Sequence, residues 1–191
     1  MTSADAIANP LTNQFLIAMP GLDDPNFTRS VTYICEHNAD GAMGIVINHP
    51  IEMELGDVLR QLDVATEDQK VEHQPVFIGG PVLPDRGFIV HRPPGNWESS
   101  LPVTENIAVT TSRDILNAIA HGYGPRDSIF ALGYAGWTAG QLEAEMADNA
   151  WLSVPADEHV LFELPASARW RAAAELIGID PLLLSGDSGH A

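Results

Sequence analysis

Short apolar runs separated by turn residues fill the first half of the chain and predict strands. The apolar segments of this region are 14–22, 30–37 and 43–49. Asp40 followed by Gly41 stands between the last two segments, and Asp-Gly between two strand-like runs is a strong hairpin signal. The segment 75–91 predicts a second hairpin with its turn at 84–87, because proline near the start and glycine at the end suit a turn.

The second half of the chain alternates between the strand period and the helix period. Strands are predicted at 106–111, 128–134, 150–155 and 159–164. Apolar residues three or four positions apart predict helices over 54–62, 112–122, 139–147 and 167–178. Ser112 is placed to cap its helix and Gly122 to end it. The polar segment 65–74 is predicted to be a loop.

This order of elements predicts one domain with an α+β or mixed α/β fold. The length of 191 residues is within the usual range for a single domain. We expect residues 1–10 to be a flexible lead-in, residues 11–180 to form the domain, and residues 181–191 to be a mobile tail. The composition shows no break, repeat or linker between 11 and 180.

The charge balance narrows the class of partner. The chain has 9 Lys+Arg against 26 Asp+Glu, a formal net charge of −17. Affinity for nucleic acids depends on basic contacts to phosphates, and the few basic residues form no patch or stripe. Direct nucleic-acid binding and association with anionic membranes are therefore disfavoured. A small ligand or a protein partner is expected instead, and the sequence leaves the oligomeric state open.

The single cysteine, Cys35, points to a reducing compartment. No basic and apolar leader opens the chain and no run reaches 18 apolar residues, so we expect a cytoplasmic protein without a membrane span. Cys35 is predicted to be a buried structural thiol. The alternative, a metal site made of Cys35, His37 and His49, matches no known ligand spacing. We predict no metal and no cofactor.

Two similar junctions carry the main site prediction. The segments "AVTTSRDIL" and "ALGYAGWTAGQL" each run from a strand through hydroxyl or aromatic residues into a helix. If the two strands are parallel neighbours, their carboxyl ends form one crevice beside helix N-termini, where ligands and anions bind. The predicted lining is Thr110, Thr111, Ser112, Tyr134, Gly136, Trp137 and Thr138. The alternative is that Thr138 and Gln141 form only a capping box while Trp137 covers the core.

A glycine-rich segment and one histidine are secondary candidates. Gly79, Gly80 and Pro81 are predicted to form a bulge or bend in the second hairpin, beside the site; the alternative is an anion cradle of backbone N–H groups. His91 ends that hairpin and is either a structural residue or a general base. The usual motifs of nucleotide kinases, Rossmann dehydrogenases, zinc proteases and thiol redox proteins do not occur in the chain.

A set of segments in a fixed order resembles one known family. They are "FLIAMPGLDDPNFTRSVTYICEHNADGAMGIVINHP", "FIGGPV", "GFIVHRP", "DILNAIAHGYGP", "LGYAGWTAGQLEAE" and "NAWL". Together they resemble the YqgE/AlgH family of bacterial cytoplasmic proteins, from about Leu11 to the final "GHA". The resemblance implies an α+β fold whose mixed sheet is folded into a pseudo-barrel with flanking helices. Some members are described as transcriptional regulators, but no biochemical activity is established for the family, so it supplies no catalytic residues.

Two functions from different classes follow. The first is a non-enzymatic binding or regulatory protein whose effect on transcription, given its charge, is indirect. The second is a small hydrolase or group-transfer enzyme acting on an anionic small molecule. The second requires His91 or an acid within hydrogen-bond reach of a hydroxyl in 110–112, inside a cleft. A third reading, an assembly subunit, requires a solution mass above that of the monomer.

Overall fold

The frame of this protein is a strongly curled sheet, seen in a computed structural model that describes residues 10–19, 24–25 and 27–180. Its strands are β1 (Gln14–Ala18), β2 (Val31–Asn38), β3 (Gly41–Val46), β4 (Pro50–Glu54), β5 (Pro75–Ile78), β6 (Val82–Arg92), β7 (Ser100–Pro102), β8 (Ala108–Thr110), β9 (Asp127–Thr138) and β10 (Trp151–Pro155). The helices are α1 (Leu55–Gln61), α2 (Gln69–Glu72), α3 (Arg113–Ala120), α4 (Gln141–Ala147) and α5 (Ala166–Ile177), and a π-helical turn spans His159–Glu163.

The strand order is β10-β1-β2-β3-β9-β6-β8-β7, with β4 and β5 branching from β9. Neighbouring strands along this order are antiparallel, while β5 pairs in parallel with β9. The result is one domain with a half-barrel sheet and several helices, a mixed α+β fold. The fold class expected from the resemblance is confirmed.

Both faces of the sheet are covered, and strand alternation divides the core between them. In β1, Phe15 and Ile17 belong to the core inside the curl, whereas Leu16 and Ala18 belong to a cluster on the opposite face. Successive side chains of a strand point to opposite faces, so a strand covered on both sides is apolar throughout. Helix α5 and the π-helical turn cover the inner face; α1–α3 cover one end of the outer face and α4 the other.

The hairpin predicted for 75–91 is wrong, because β5 and β6 do not pair with each other. They pair with opposite edges of β9, and 84–87 lies within β6, where its pairing with β9 shifts register. Gly79, Gly80 and Pro81 carry the chain across β9 from one edge to the other. A Cβ on Gly79 would lie 2.4 Å from the carbonyl oxygen of Gly133. Only glycine permits two backbones to approach this closely.

Most of the other helices and strands predicted from the sequence are confirmed, and two predicted segments differ. The β2–β3 hairpin and helices α1, α3, α4 and α5 are confirmed. The predicted loop 65–74 contains the short helix α2, whose Asp68 accepts a hydrogen bond from the Lys70 N–H at 2.9 Å. The strand predicted at 159–164 is wrong, since the π-helical turn occupies these residues.

No helix within the described ranges is long and apolar enough to cross a membrane. The longest of them, α5, has 12 residues, whereas a transmembrane helix needs about 20. The predictions of a flexible lead-in over residues 1–10 and a mobile tail over residues 181–191 lie, except for Pro10, outside the described residues.

Candidate functional site

An open cleft lies where the β2–β3 hairpin meets the last residues of β9. Its volume is about 640 Å³. We name it the hairpin cleft. The residues that line it are Glu36, Asn38, Asp40, Gly41, Ala42, Met43, Val82, Tyr134, Gly136, Trp137 and Thr138. The cleft therefore contains the four residues that the sequence predicts on β9, together with hairpin residues that it does not predict.

Strand alternation decides which residues of β9 face this cleft. Gly136 and Thr138 are exposed and Tyr134 is half-buried, whereas Ala135 and Trp137 between them are buried. The exposed positions are two residues apart, as expected for one face of a strand. The hairpin cleft thus has a backbone floor at Gly136, with Tyr134 and Thr138 on either side.

Trp137 belongs to an aromatic cluster beneath the cleft. Its ring stacks on Phe27 with centroids 6.4 Å apart and meets Trp151 edge-on at 5.9 Å. The indole N–H groups of Trp137 and Trp151 both donate to the same carboxylate oxygen of Glu145, at 3.3 and 3.0 Å. These contacts hold the Trp137 ring in a buried cluster on the face of β9 opposite to Gly136 and Thr138.

Helix α4 is held beside the cleft by His37. The Leu11 N–H donates to Nδ1 of His37 at 2.9 Å, so the neutral ring carries its proton on Nε2 and donates it to Glu143. The predicted capping box is only partly formed, because Gly140, with φ +77°, is the N-cap. The Gln141 side chain accepts the Thr138 backbone N–H at 3.0 Å.

The predicted partner half of the crevice lies elsewhere. Strand β6 lies between β8 and β9, and its Ile89 pairs with Thr110 on one side and with Phe130 on the other. Strands β8 and β9 are parallel but not neighbours. Phe130 is eight residues before Thr138, a distance of roughly 26 Å along a strand. The prediction that the two junctions form one crevice is therefore wrong.

The hydroxyls of Thr111 and Ser112 have local partners. Arg86 donates to Thr111 at 3.3 Å. Ser112 accepts the Ser99 N–H at 3.0 Å and donates to Asp114 at 2.5 Å. Thr111 also lines a separate, mostly apolar cavity of about 360 Å³ between α1, α3 and the sheet. These residues brace the start of α3 and make no contact with the hairpin cleft.

His91 and Thr110 form a hydrogen-bonded pair across β6 and β8. Nε2 of His91 lies 2.7 Å from the Thr110 hydroxyl, which lies 3.0 Å from the Ser100 hydroxyl. Nδ1 of His91 donates to the Pro93 carbonyl at 3.0 Å, so Nε2 of the neutral ring accepts the Thr110 proton. Burial lowers the pKa of His91 and favours this neutral form.

This pair meets the distance requirement for a base and a hydroxyl nucleophile but not the requirement for a cleft. Both His91 and Thr110 have 0% of their surface exposed. A substrate needs access to the nucleophile and to the position where charge develops. The hydrogen bond between His91 and Thr110 joins two neighbouring strands in the interior, and this geometry does not support the enzyme hypothesis.

In the part of the chain that the structure describes, Cys35, His37 and His49 do not form a metal site. No group of three His, Cys, Asp or Glu side chains there is arranged to hold a metal ion. Cys35 is buried and its thiol contacts the Tyr33 carbonyl at 3.6 Å. Burial raises the pKa of this thiol, which therefore stays protonated.

Comparisons with known proteins agree with this fold. A family model described as AlgH-like matches residues 15–182. A UPF0301 protein of Thioalkalivibrio sulfidiphilus is 62% identical over 180 residues, which cover 94% of this chain and 96% of the relative. The solution structure of the AlgH protein from Pseudomonas aeruginosa is 48% identical, covers 100% of both chains and superposes with a TM-score of 0.80. A crystal structure of a Corynebacterium diphtheriae protein shares the fold, with 20% identity and a TM-score of 0.71.

Proposed function

This chain belongs to the AlgH-like family, and from that premise we propose that it is a non-catalytic, cytoplasmic binding protein with a regulatory role. Its partner is a protein that places a basic segment in the hairpin cleft. The observation that carries this proposal is the composition of the cleft. Exposed acidic side chains, an apolar surface and a backbone floor meet there, in an open groove of about 640 Å³.

The charges of the hairpin cleft favour a cationic segment. Glu36 and Asp40 are exposed on the β2–β3 hairpin, and none of the residues lining the cleft is basic. The formal net charge of −17 extends the negative potential over the molecule and speeds the approach of a basic partner. Met43 and Tyr134 add the apolar contact that the alkyl parts of lysine and arginine side chains use.

The rest of the described structure supports binding rather than catalysis. The hydroxyl–imidazole pair that comes nearest to a catalytic arrangement, Thr110 and His91, is fully buried. The cleft itself offers carboxylates, an amide, a threonine and the ring of Tyr134. These groups recognise a partner through charge, hydrogen bonds and contact area.

Any effect on transcription is then exerted through a protein, not by contact with DNA. We expect no retardation of a random DNA duplex in a gel-shift assay at physiological salt, because an acidic chain without a basic surface gains nothing from counterion release. Retardation that weakens as salt is raised would contradict this expectation.

The direct test is an NMR titration of the ¹⁵N-labelled protein with a capped tri-arginine peptide. We expect saturable shifts in the β2–β3 hairpin and in residues 134–138. The double variant Glu36→Gln/Asp40→Asn should weaken binding by roughly two- to tenfold, since exposed ion pairs contribute modestly. Both substituted side chains are exposed, so the fold should be preserved.

A matched control removes the same amount of charge from another surface. Glu105 and Glu175 are also exposed and lie outside the hairpin cleft. Glu105→Gln/Glu175→Gln should bind the peptide as the wild type does. Equal losses in the two double variants, or shifts spread over the whole surface, would mean that only net charge attracts the peptide and would refute the proposed cleft.

A further inference from the structure

Arg169, the fourth residue of α5, is a buried cation without a carboxylate partner among the described residues. It is 6% exposed. Its Nη1 donates to the Ile47 carbonyl, and its guanidinium carbon lies 5.2 Å from the centre of the Phe77 ring. Nε is buried without a hydrogen-bond partner. The Nε–H of the guanidinium therefore points at no acceptor among the described residues.

The contrast with Arg92 shows how unusual this is in so acidic a chain. Arg92 contacts three carboxylates, those of Asp127, Glu158 and Glu163, at 2.8, 3.3 and 3.6 Å. Acidic residues outnumber basic ones by 26 to 9, yet no described acid reaches Arg169. A buried charge is costly unless it is paired. Burial lowers the pKa of Arg169 to about 10, which still leaves the side chain charged at neutral pH.

Arg169 lines a pocket of about 490 Å³ between α5 and the sheet. The other walls are mainly apolar and include Phe77, Ile129 and Leu164. One acidic residue, Glu163, also borders the pocket, but its carboxylate contacts Arg92 at 3.6 Å and His159 at 3.5 Å. We name this cavity the α5 pocket.

The N-terminus of α5 opens onto the same pocket. Pro165 is the N-cap and supplies no side-chain acceptor. In the described part of the chain, no acceptor contacts the N–H groups of Ala166 and Ser167, while the Ala168 N–H bonds to the Pro165 carbonyl at 3.0 Å. Pro165, Ala166 and Arg169 all line the α5 pocket. The α5 pocket is therefore bordered by the free N–H groups and positive dipole end of this helix and by the Arg169 guanidinium.

We propose that the α5 pocket binds a small organic carboxylate, with its carboxylate group between the Arg169 guanidinium and the first turn of α5. The apolar part of the ligand packs against Phe77 and Ile129. A carboxylate suits the site better than a phosphate, because one guanidinium balances one negative charge and the walls are mainly apolar. No residue that lines the α5 pocket also lines the hairpin cleft. A negative result at one site therefore leaves the proposal for the other site unaffected.

The test compares three probes by NMR on the full chain: hexanoate, hexanamide and inorganic phosphate. We expect hexanoate to shift the backbone signals of Ala166 and Ser167 and the Nε–H signal of Arg169 in a saturable way. Hexanamide has the same apolar chain without the charge, and should bind at least about tenfold more weakly, because charge-assisted hydrogen bonds are the strong ones.

Two variants of α5 complete the experiment. Arg169→Met keeps an unbranched apolar side chain and should weaken hexanoate binding by about tenfold or more. Arg171→Met is the control, since Arg171 is exposed on the same helix and its loss should leave hexanoate binding unchanged. If Arg169→Met does not fold, the comparison of hexanoate with hexanamide on the wild type still decides. Equal binding of those two probes, tighter binding of phosphate at the same residues, or no saturable shift at Ala166 would overturn the proposal.

Discussion

Replacing Gly133 with alanine is expected to lower the free energy of unfolding by about 3 kcal/mol or more, measured by urea denaturation. Gly133 has φ +78°, a conformation that costs an alanine roughly 1–2 kcal/mol. The new Cβ would also lie 2.3 Å from the carbonyl oxygen of Gly80 and 3.0 Å from that of Val82. Both contacts are with backbone, so the whole crossing over β9 would have to move.

Gly122 provides the control for this prediction. It has φ +84°, close to that of Gly133, but a Cβ there would meet nothing within 4 Å. Gly122→Ala should therefore cost only the conformational part, about 1–2 kcal/mol. The difference between the two variants measures the close approach of the two backbones. Equal losses at both positions would show that the crossing tolerates a side chain.

The same crossing shows where sequence reasoning reaches its limit. Gly79, Gly80 and Pro81 indicate a break in regular pairing, and that much is predictable because the signal is local. The partner of the break, Gly133, is more than fifty residues away in the sequence. Nothing in "FIGGPV" specifies which backbone approaches it, so a bend in a hairpin is the simplest interpretation and the crossing over β9 is missed.

Elements fixed by contacts between near neighbours are predicted well. Asp40 and Gly41 identify the β2–β3 hairpin, and the spacing of apolar residues identifies α1 and α5. The strand predicted over 159–164 is wrong because the local sequence there does not determine a single structure. A π-helical turn occupies His159–Glu163. Its apolar residues, Val160 and Leu161, follow one another, as they also would in a buried strand, and tertiary packing decides between the two.

The β9 residues of the hairpin cleft are predicted from the sequence but are assigned the wrong partners. Tyr134, Gly136 and Thr138 alternate along one strand and share the hairpin cleft, whereas the sequence assigns them to a crevice with Thr110. Their partners come from the β2–β3 hairpin, because β3, not β8, is the neighbour of this end of β9. Strand order is a property of the whole chain. Polar residues alternate at 36, 38 and 40, and this alternation is the sequence signal that could have pointed to the hairpin side of the cleft.

His91 is expected to make the fold less stable as the pH falls below 6.5, the ordinary pKa of histidine. Burial lowers the pKa of His91 in the folded protein. Above pH 6.5 the ring is neutral in both states, and its contribution to stability is complete. Between 6.5 and the lowered pKa, the unfolded chain binds a proton that the folded chain does not. The free energy of unfolding then falls by up to about 1.4 kcal/mol per pH unit.

Urea denaturation over a series of pH values below 6.5 isolates this contribution by comparing variants. His91→Gln should flatten the slope, whatever its effect on absolute stability, because the titrating group is gone. The slope that remains includes His49, whose pKa burial also lowers. His121→Gln is the control for the loss of an imidazole, since His121 is exposed on the C-terminal side of α3, and His91→Gln should flatten the slope more than this control does. A slope unchanged by His91→Gln would show that His91 is protonated as readily in the folded state as in the unfolded one. The hydrogen bond between His91 and Thr110 would then not depend on a neutral ring.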